Sequence, residues 1–240
     1  MASQEELRLR GLSFGEFYYM LRTKYRKYVY THLFVVFQRS SNKISLHVPR
    51  NIFNKCGENH SCNLCVLPIV IIDRMRFEKT KDPMDDIRHY NILIIDYNTK
   101  CVERFEPADS KSYTDLDNLL KRCFNDYGYK YKWSTYIGPQ YNEICEIGSV
   151  TMNCGYWALM YIQDRTFSIY NHGYNLQTRF IKNWMYDISK RGYYKTLCDY
   201  KSQLIYSFDK NRDVVMKYND LVFSNIFWRK PLDYYDYTIC

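Results

Sequence analysis

Runs of β-branched and aromatic residues dominate the first half of the chain, and apolar residues at helical spacing dominate the second. Leu33–Phe37 and Ile44–Val48 have strand composition. Val66–Asp73 is a near-continuous apolar run, the pattern of a strand covered on both faces. His89–Asp96 and Cys101–Glu106 read as two strands around the polar turn Tyr97-Asn98-Thr99-Lys100, and Tyr129–Tyr136 alternates as another. Ser13 with Glu16 is a capping-box signal that opens a basic, aromatic helix over Phe17–Tyr30. Leu116, Leu119, Leu120 and Cys123 lie at helical spacing behind Thr114, the expected N-cap. Cys154–Arg165 reads as a buried helix; Gln177–Arg191 and Tyr193–Ser207 read as two more, before an aromatic tail. Asn51–Asn63 and Ile137–Asn153 read as loops, and Arg74–Arg88 as a charged, exposed segment. Together these elements predict an α+β fold, a mixed or antiparallel central sheet flanked by helices.

A chain of 240 residues suits one good core, and no repeat or linker divides it, so a single domain over 1–240 is expected. The longest apolar run, Cys65–Ile72, is eight residues, against about 20 for a membrane span. Met1–Arg10 is charged and lacks the apolar stretch of a secretory signal. The expectation is an intracellular protein without a membrane partner. Nine cysteines at irregular spacing favour reduced thiols. Tyrosine occurs 26 times and the net charge is +8. Both fit either an AT-rich coding bias or a surface that stacks and attracts nucleic acid.

Several motifs lead nowhere. Gly11-Leu12-Ser13-Phe14-Gly15 spells a nucleophile elbow, but the charged residues before it leave no room for the strand that chemistry needs. Cys56, His60, Cys62 and Cys65 are zinc-ligand types within ten residues. Their spacing is too compact for two converging pairs, and Cys65 runs straight into an apolar strand, so they are weak metal candidates. The basic positions Arg22, Lys24, Arg26 and Lys27 read as a solvated helix face.

One constellation carries chemistry. If Tyr97–Lys100 is the hairpin turn, paired residues sum to 197, so Asn91 opposes Glu106 and both share a face with His89. Glu106 then lies diagonal to His89, within reach of its imidazole. A carboxylate there fixes the ring's tautomer and stabilises the imidazolium. Asp96 is nearer in sequence but roughly 23 Å away along a strand, so it cannot do so. Cys154 stands where a polar loop gives way to the apolar run Gly155–Ile162, and a helix N-terminus favours the thiolate. Its backbone N–H would face an oxyanion formed there, and Gln140, in a Gly-Pro loop, could add a side-chain amide. Cys145 is the rival nucleophile, but Glu146 beside it disfavours a thiolate.

His89, Glu106, Gln140 and Cys154, in that order, resemble the cysteine peptidases that group the adenovirus maturation protease with the SUMO-type proteases, above all members encoded by large DNA viruses. The acid lies seventeen residues after the histidine, a spacing the family shares. Phe105-Glu106-Pro107 is similar to its acid motif, and Cys154-Gly155-x-Trp157 to the opening of its nucleophile helix. The resemblance covers about 66–164, leaving 1–65 as an N-terminal helix and strand extension and 165–240 as a C-terminal helical part. Gln140 precedes Cys154 by fourteen residues, more than in the better-known members, so an insertion is expected between them.

The resemblance implies a thiol endopeptidase cutting after small residues such as Gly-Gly or Ala-Gly, with no required cofactor beyond stimulation by DNA or a peptide. Its expected partner is a protein substrate, and it would act as a monomer in a host cytoplasm or a virion, maturing viral structural precursors. Removal of ubiquitin-like modifiers from host proteins is an alternative. A non-catalytic, basic nucleic-acid-binding virion protein and a silent relative kept as a scaffold are others.

Overall fold

The computed structural model describes residues 7, 9–25, 30–31, 34–53, 63–81, 87–108, 113–133, 138–149, 151–172, 184–223 and 234–239. In chain order they form α1 (Phe14–Thr23), β1 (Tyr30–Thr31), β2 (Val35–Arg39), β3 (Ile44–Pro49), β4 (Leu64–Asp73), α2 (Phe77–Thr80) and β5 (Ile87–Asp96). Then come β6 (Cys101–Phe105), α3 (Thr114–Asn125), β7 (Lys130–Trp133), α4 (Pro139–Ile147) and α5 (Cys154–His172). The chain closes with α6 (Met185–Arg191), α7 (Tyr193–Lys210), α8 (Arg212–Phe223) and β8 (Tyr234–Ile239). The fold is α+β.

A single mixed sheet runs β7-β6-β5-β4-β2-β3-β8, with β1 also paired to β4. The β1–β4, β2–β4 and β6–β7 pairs are parallel and the others antiparallel. Strand β4 is buried along its whole length, as its unbroken apolar run requires. It nonetheless contains Pro68, which has no N–H to give a ladder. On that side the neighbour of β4 changes from β1, which ends against Val66, to β2, which begins against Ile69. The proline falls in the junction.

Alternation along β4 and β5 sends side chains to two cores. Val66, Ile92 and Ile94 face α1, α5 and α7, packing on Phe17, Leu21, Tyr156 to Ile162, Leu197 and Leu204. Leu67, Ile69, Ile71, Leu93 and Ile95 face α3, packing with Leu116, Leu119, Leu120 and Phe124. Helix α5 is pinned to the sheet by β6. Phe105 stacks on Tyr161 with ring centroids 4.0 Å apart. Glu103 receives the Arg165 guanidinium at 2.7 and 2.9 Å and the Tyr161 hydroxyl.

Several expectations need correction. Ile137–Asn153 is not all loop, because Pro139 opens α4 at N1 and Gly148, at φ 66°, closes it. That pairing of Pro at the start and Gly past the end is a helix signature. The C-terminal part is not wholly helical: β8 adds to the sheet edge against β3. Helix α1 ends at Thr23, and the capping box at Ser13 starts it three residues earlier than read. Thr114 is the first helical residue of α3; Tyr113 occupies the N-cap position without a side-chain cap. Cys56, His60 and Cys62, with Arg26 and Lys27, lie outside the described residues, as do 134–136 and 177–183 of the predicted elements. Cys65 is fully buried in β4. Among the described residues no group of three or more metal-ligating side chains forms, and no helix is long and apolar enough to cross a membrane.

Candidate active site

The β5–β6 hairpin turns at Tyr97–Lys100 and pairs Ile92 with Phe105 through Asp96 with Cys101, the register in which partners sum to 197. Asp96 is spent on the turn itself, accepting from the Asn98 N–H at 3.0 Å and the Thr99 hydroxyl at 2.8 Å. Glu106 follows the last residue of β6, fully buried. Its Oε1 accepts from His89 Nε2 at 2.5 Å and from the Ala108 N–H at 2.9 Å. Its Oε2 accepts from Asn91 Nδ2 at 2.8 Å.

A further layer supports this carboxylate. Arg104, two residues earlier on the same face, is 1% exposed. Its guanidinium reaches Glu106 Oε2 at 3.4 Å and also donates to Asn91 Oδ1. Its fork binds Asp117 of α3 at 2.8 and 2.9 Å. The Tyr131 hydroxyl of β7 donates to Asp117 at 2.6 Å. Arg104 and Asp117 were not anticipated from sequence. The available signal was an arginine at an inward position of a buried strand, and an acid beside Leu116 on an apolar helix face.

His89 packs flat against Tyr113, centroids 6.1 Å apart at 22°, and the side chain is 11% exposed. Burial alone would lower its proton affinity, but the Glu106 carboxylate, with the Cys154 sulfur beside the ring, outweighs it and raises the pKa to about 10. For Glu106, burial pushes upward, and His89, Arg104 and the Ala108 N–H more than reverse it, holding the carboxyl below its ordinary range. Because Nε2 is committed to Glu106, Nδ1 is the ring nitrogen left for the thiol.

Cys154, 8% exposed, is the first residue of α5. The Asn153 carbonyl accepts from the Tyr156 and Trp157 N–H groups at 3.0 and 3.1 Å, so the helix begins at the thiol. The N–H groups ahead of these are the orphan donors of a helix N-terminus. Gly155 is dictated by packing: a Cβ there would sit 2.9 Å from Leu12 Cβ. Asn153 is held from both sides, donating to Glu143 at 2.6 Å and accepting from Lys201 at 2.7 Å. Glu143 also accepts from Trp157 Nε1 at 2.6 Å. Trp157 is thus helix core.

Gln140 enters from α4. The Gln140 N–H donates to the Pro107 carbonyl at 2.9 Å and the Gly138 N–H to Ala108 at 2.7 Å, docking this loop beside the Glu106 motif. A Cβ on Gly138 would overlap the Pro107 carbonyl. The Gln140 side-chain amide donates to the Thr151 carbonyl at 3.2 Å, three residues before Cys154. The long spacing between Gln140 and Cys154 is therefore folded as a helix and a return, and the glutamine meets the loop that leads into Cys154. Its Oε1 is buried without a hydrogen-bond partner among the described residues. Cys145, by contrast, is exposed near the end of α4.

A carboxylate holding an imidazole against a thiol at a helix N-terminus can perform nucleophilic acyl transfer. No protein-family model matches the chain, and no curated protein sequence matches it significantly.

Proposed function

We propose that the protein is a thiol endopeptidase. The observation that carries this reading is the hydrogen bond between His89 and the buried Glu106, with Cys154 close enough to the imidazole to act on its charge and standing at the first turn of a buried helix. In the proposed cycle the Cys154 sulfur attacks the scissile carbonyl carbon after giving its proton to His89. The tetrahedral oxyanion is held by the Cys154 backbone N–H and the second amide hydrogen of Gln140. Collapse breaks the C–N bond as His89 returns the proton to the leaving amine. Water, deprotonated by His89, then hydrolyses the thioester and releases the carboxylate and the thiol.

Cys154 and His89 are nearly buried, and Tyr113 lies along the imidazole. Such an entrance favours substrates with small residues before the scissile bond, in keeping with the Gly-Gly or Ala-Gly sites that the resemblance implies. Maturation of viral structural precursors is the role proposed for it. Ubiquitin-like conjugates would use the same chemistry and differ only in the substrate's body.

The test is cleavage of a Gly-Gly and Ala-Gly peptide panel, with SUMO and ubiquitin conjugates beside it. Wild type is compared with Cys154→Ala and Cys145→Ala, with and without DNA. Turnover lost in Cys154→Ala and kept in Cys145→Ala is expected. No turnover under any condition, together with salt-sensitive DNA binding, would replace the peptidase with a nucleic-acid-binding protein.

A further inference from the structure

Two carboxylates, Glu106 and Asp117, are buried with a single guanidinium, that of Arg104. The guanidinium does not divide itself equally. It grips Asp117 with a fork at 2.8 and 2.9 Å and stands 3.4 Å from Glu106. Asp117 is fastened in turn by Tyr131 at 2.6 Å, and Asn91 links the two halves by donating to Glu106 while accepting from Arg104. The formal sum of Glu106, Asp117 and Arg104 is one negative charge, and the nearest contact of Glu106 is His89 at 2.5 Å. Without Asp117, the guanidinium would be free to close on Glu106 and cancel it.

On the thiol-peptidase reading of this site, we infer that Asp117 is a positioning residue: by occupying Arg104 it leaves one uncompensated buried negative charge at Glu106, and that charge holds a proton on His89 beside Cys154. Arg104 orients Glu106 without neutralising it. Asn91 supplies a neutral hydrogen bond that fixes the carboxylate's rotation.

Among the described residues, the charged and titratable groups around the imidazole fit this division. Glu106 follows β6, and Arg104 lies on β6 itself. Asp117 comes from α3 and Tyr131 from β7. Tyr113 stacks on the ring, with Arg39 of β2 lying 5.3 Å from the Tyr113 ring centroid and held by Asp73 of β4. Tyr90 neighbours His89 in β5, and Cys154 opens α5. The phenols are neutral and raised above their ordinary range by burial, and Arg39 and Asp73 compensate each other. The residual charge is that of Glu106.

The experiment is an NMR titration of the His89 imidazole in the full chain, its signal identified by its loss in His89→Gln. Wild type should titrate near 10. Asp117→Asn keeps the shape and removes one charge, and should lower the His89 midpoint by about 1 unit or more. The double variant Arg104→Met with Asp117→Leu removes both charges, restores the sum to one negative, and should return the midpoint to the wild-type value. A structural role for Asp117 would give the opposite order, with the double variant the more perturbed. If Asp117→Asn does not fold, the double variant decides alone: a midpoint lowered by 1 unit or more overturns the inference.

The outcomes separate this idea from the peptidase reading. An ordinary His89 midpoint near 6.5 in wild type removes both. A high midpoint unmoved by Asp117→Asn removes only the role of Asp117. A high midpoint that moves as stated, in a protein that cleaves nothing, keeps the charge device and removes the peptidase.

Discussion

Glu103 and Arg104 are adjacent in β6, point to opposite faces of the sheet, and each belongs to a buried ion pair, yet the two pairs do different things. On the α5 face, Glu103 is closed by both arms of Arg165 and by the Tyr161 hydroxyl. This acid and base lock helix and sheet together. On the α3 face, Arg104 binds Asp117 at 2.8 Å and stands 3.4 Å from Glu106, whose carboxylate meets His89 at 2.5 Å; on the inference above, this second acid keeps a charge for His89. The charged groups are buried in both cases. What distinguishes structure from chemistry here is the balance of charges within each cluster: a closed pair resists change, whereas a cluster one proton short governs where a proton resides.

The largest way to break this comparison is Glu106→Gln, which keeps the shape and deletes the charge. Turnover should fall by about 10²- to 10⁴-fold, with the urea midpoint changed far less; equal turnover would dismiss Glu106. The mirror experiment is Glu103→Gln. It leaves Arg165 buried beside a neutral partner, so stability should drop by about 3–5 kcal/mol, while activity per folded molecule stays at the wild-type level. A Glu103→Gln protein of normal stability but low turnover would reverse the assignment of the two faces.

Gly138→Ala comes next. The added methyl would overlap the Pro107 carbonyl, so the α4 loop must shift away from the Glu106 motif, at about 1–3 kcal/mol by denaturant unfolding. Turnover should fall through Gln140 as well. Wild-type activity in this variant would show that the docking of Gln140 on Pro107 is irrelevant.

The pH dependence of stability has a fixed sign. His89 has a folded-state pKa of about 10 against an ordinary 6.5, so its contribution is complete below 6.5 and vanishes as pH rises towards 10. Glu106 is held below its ordinary 4.5, so its contribution is present above that value and is lost as pH falls through its folded pKa. The urea midpoint of wild type should therefore decline between pH 6.5 and 10 more steeply than that of His89→Gln; parallel curves would contradict the coupling. The smallest effect is Cys145→Ala, on an exposed thiol outside the site, for which unchanged turnover and stability are expected.

The two faces also differ in how readily they could be read from sequence. The hairpin register follows from one local turn, so the meeting of His89, Asn91 and Glu106 required only pairing arithmetic and the pleat. Arg104 and Asp117 meet across β6 and α3, and nothing in the local pattern says which acid an inward arginine will choose. The chain between Gln140 and Cys154 read as loop because Gly138-Pro139 suggests a turn, although Pro139 and Gly148 together bracket a helix. Strand β8 was missed because its pairing with β3 joins residues nearly the whole chain apart, and composition near one end carries no trace of such a partner.

The central claim is that Glu106 and His89 activate Cys154. The most direct measurement is the rate at which iodoacetamide modifies each thiol of the native protein at pH 6, followed peptide by peptide. Access alone favours Cys145, which is exposed, over Cys154, which is 8% exposed. The account predicts that Cys154 nonetheless reacts fastest, and that His89→Gln removes its lead. If Cys145 reacts first in wild type, or if Cys154 is indifferent to His89→Gln, the account is wrong.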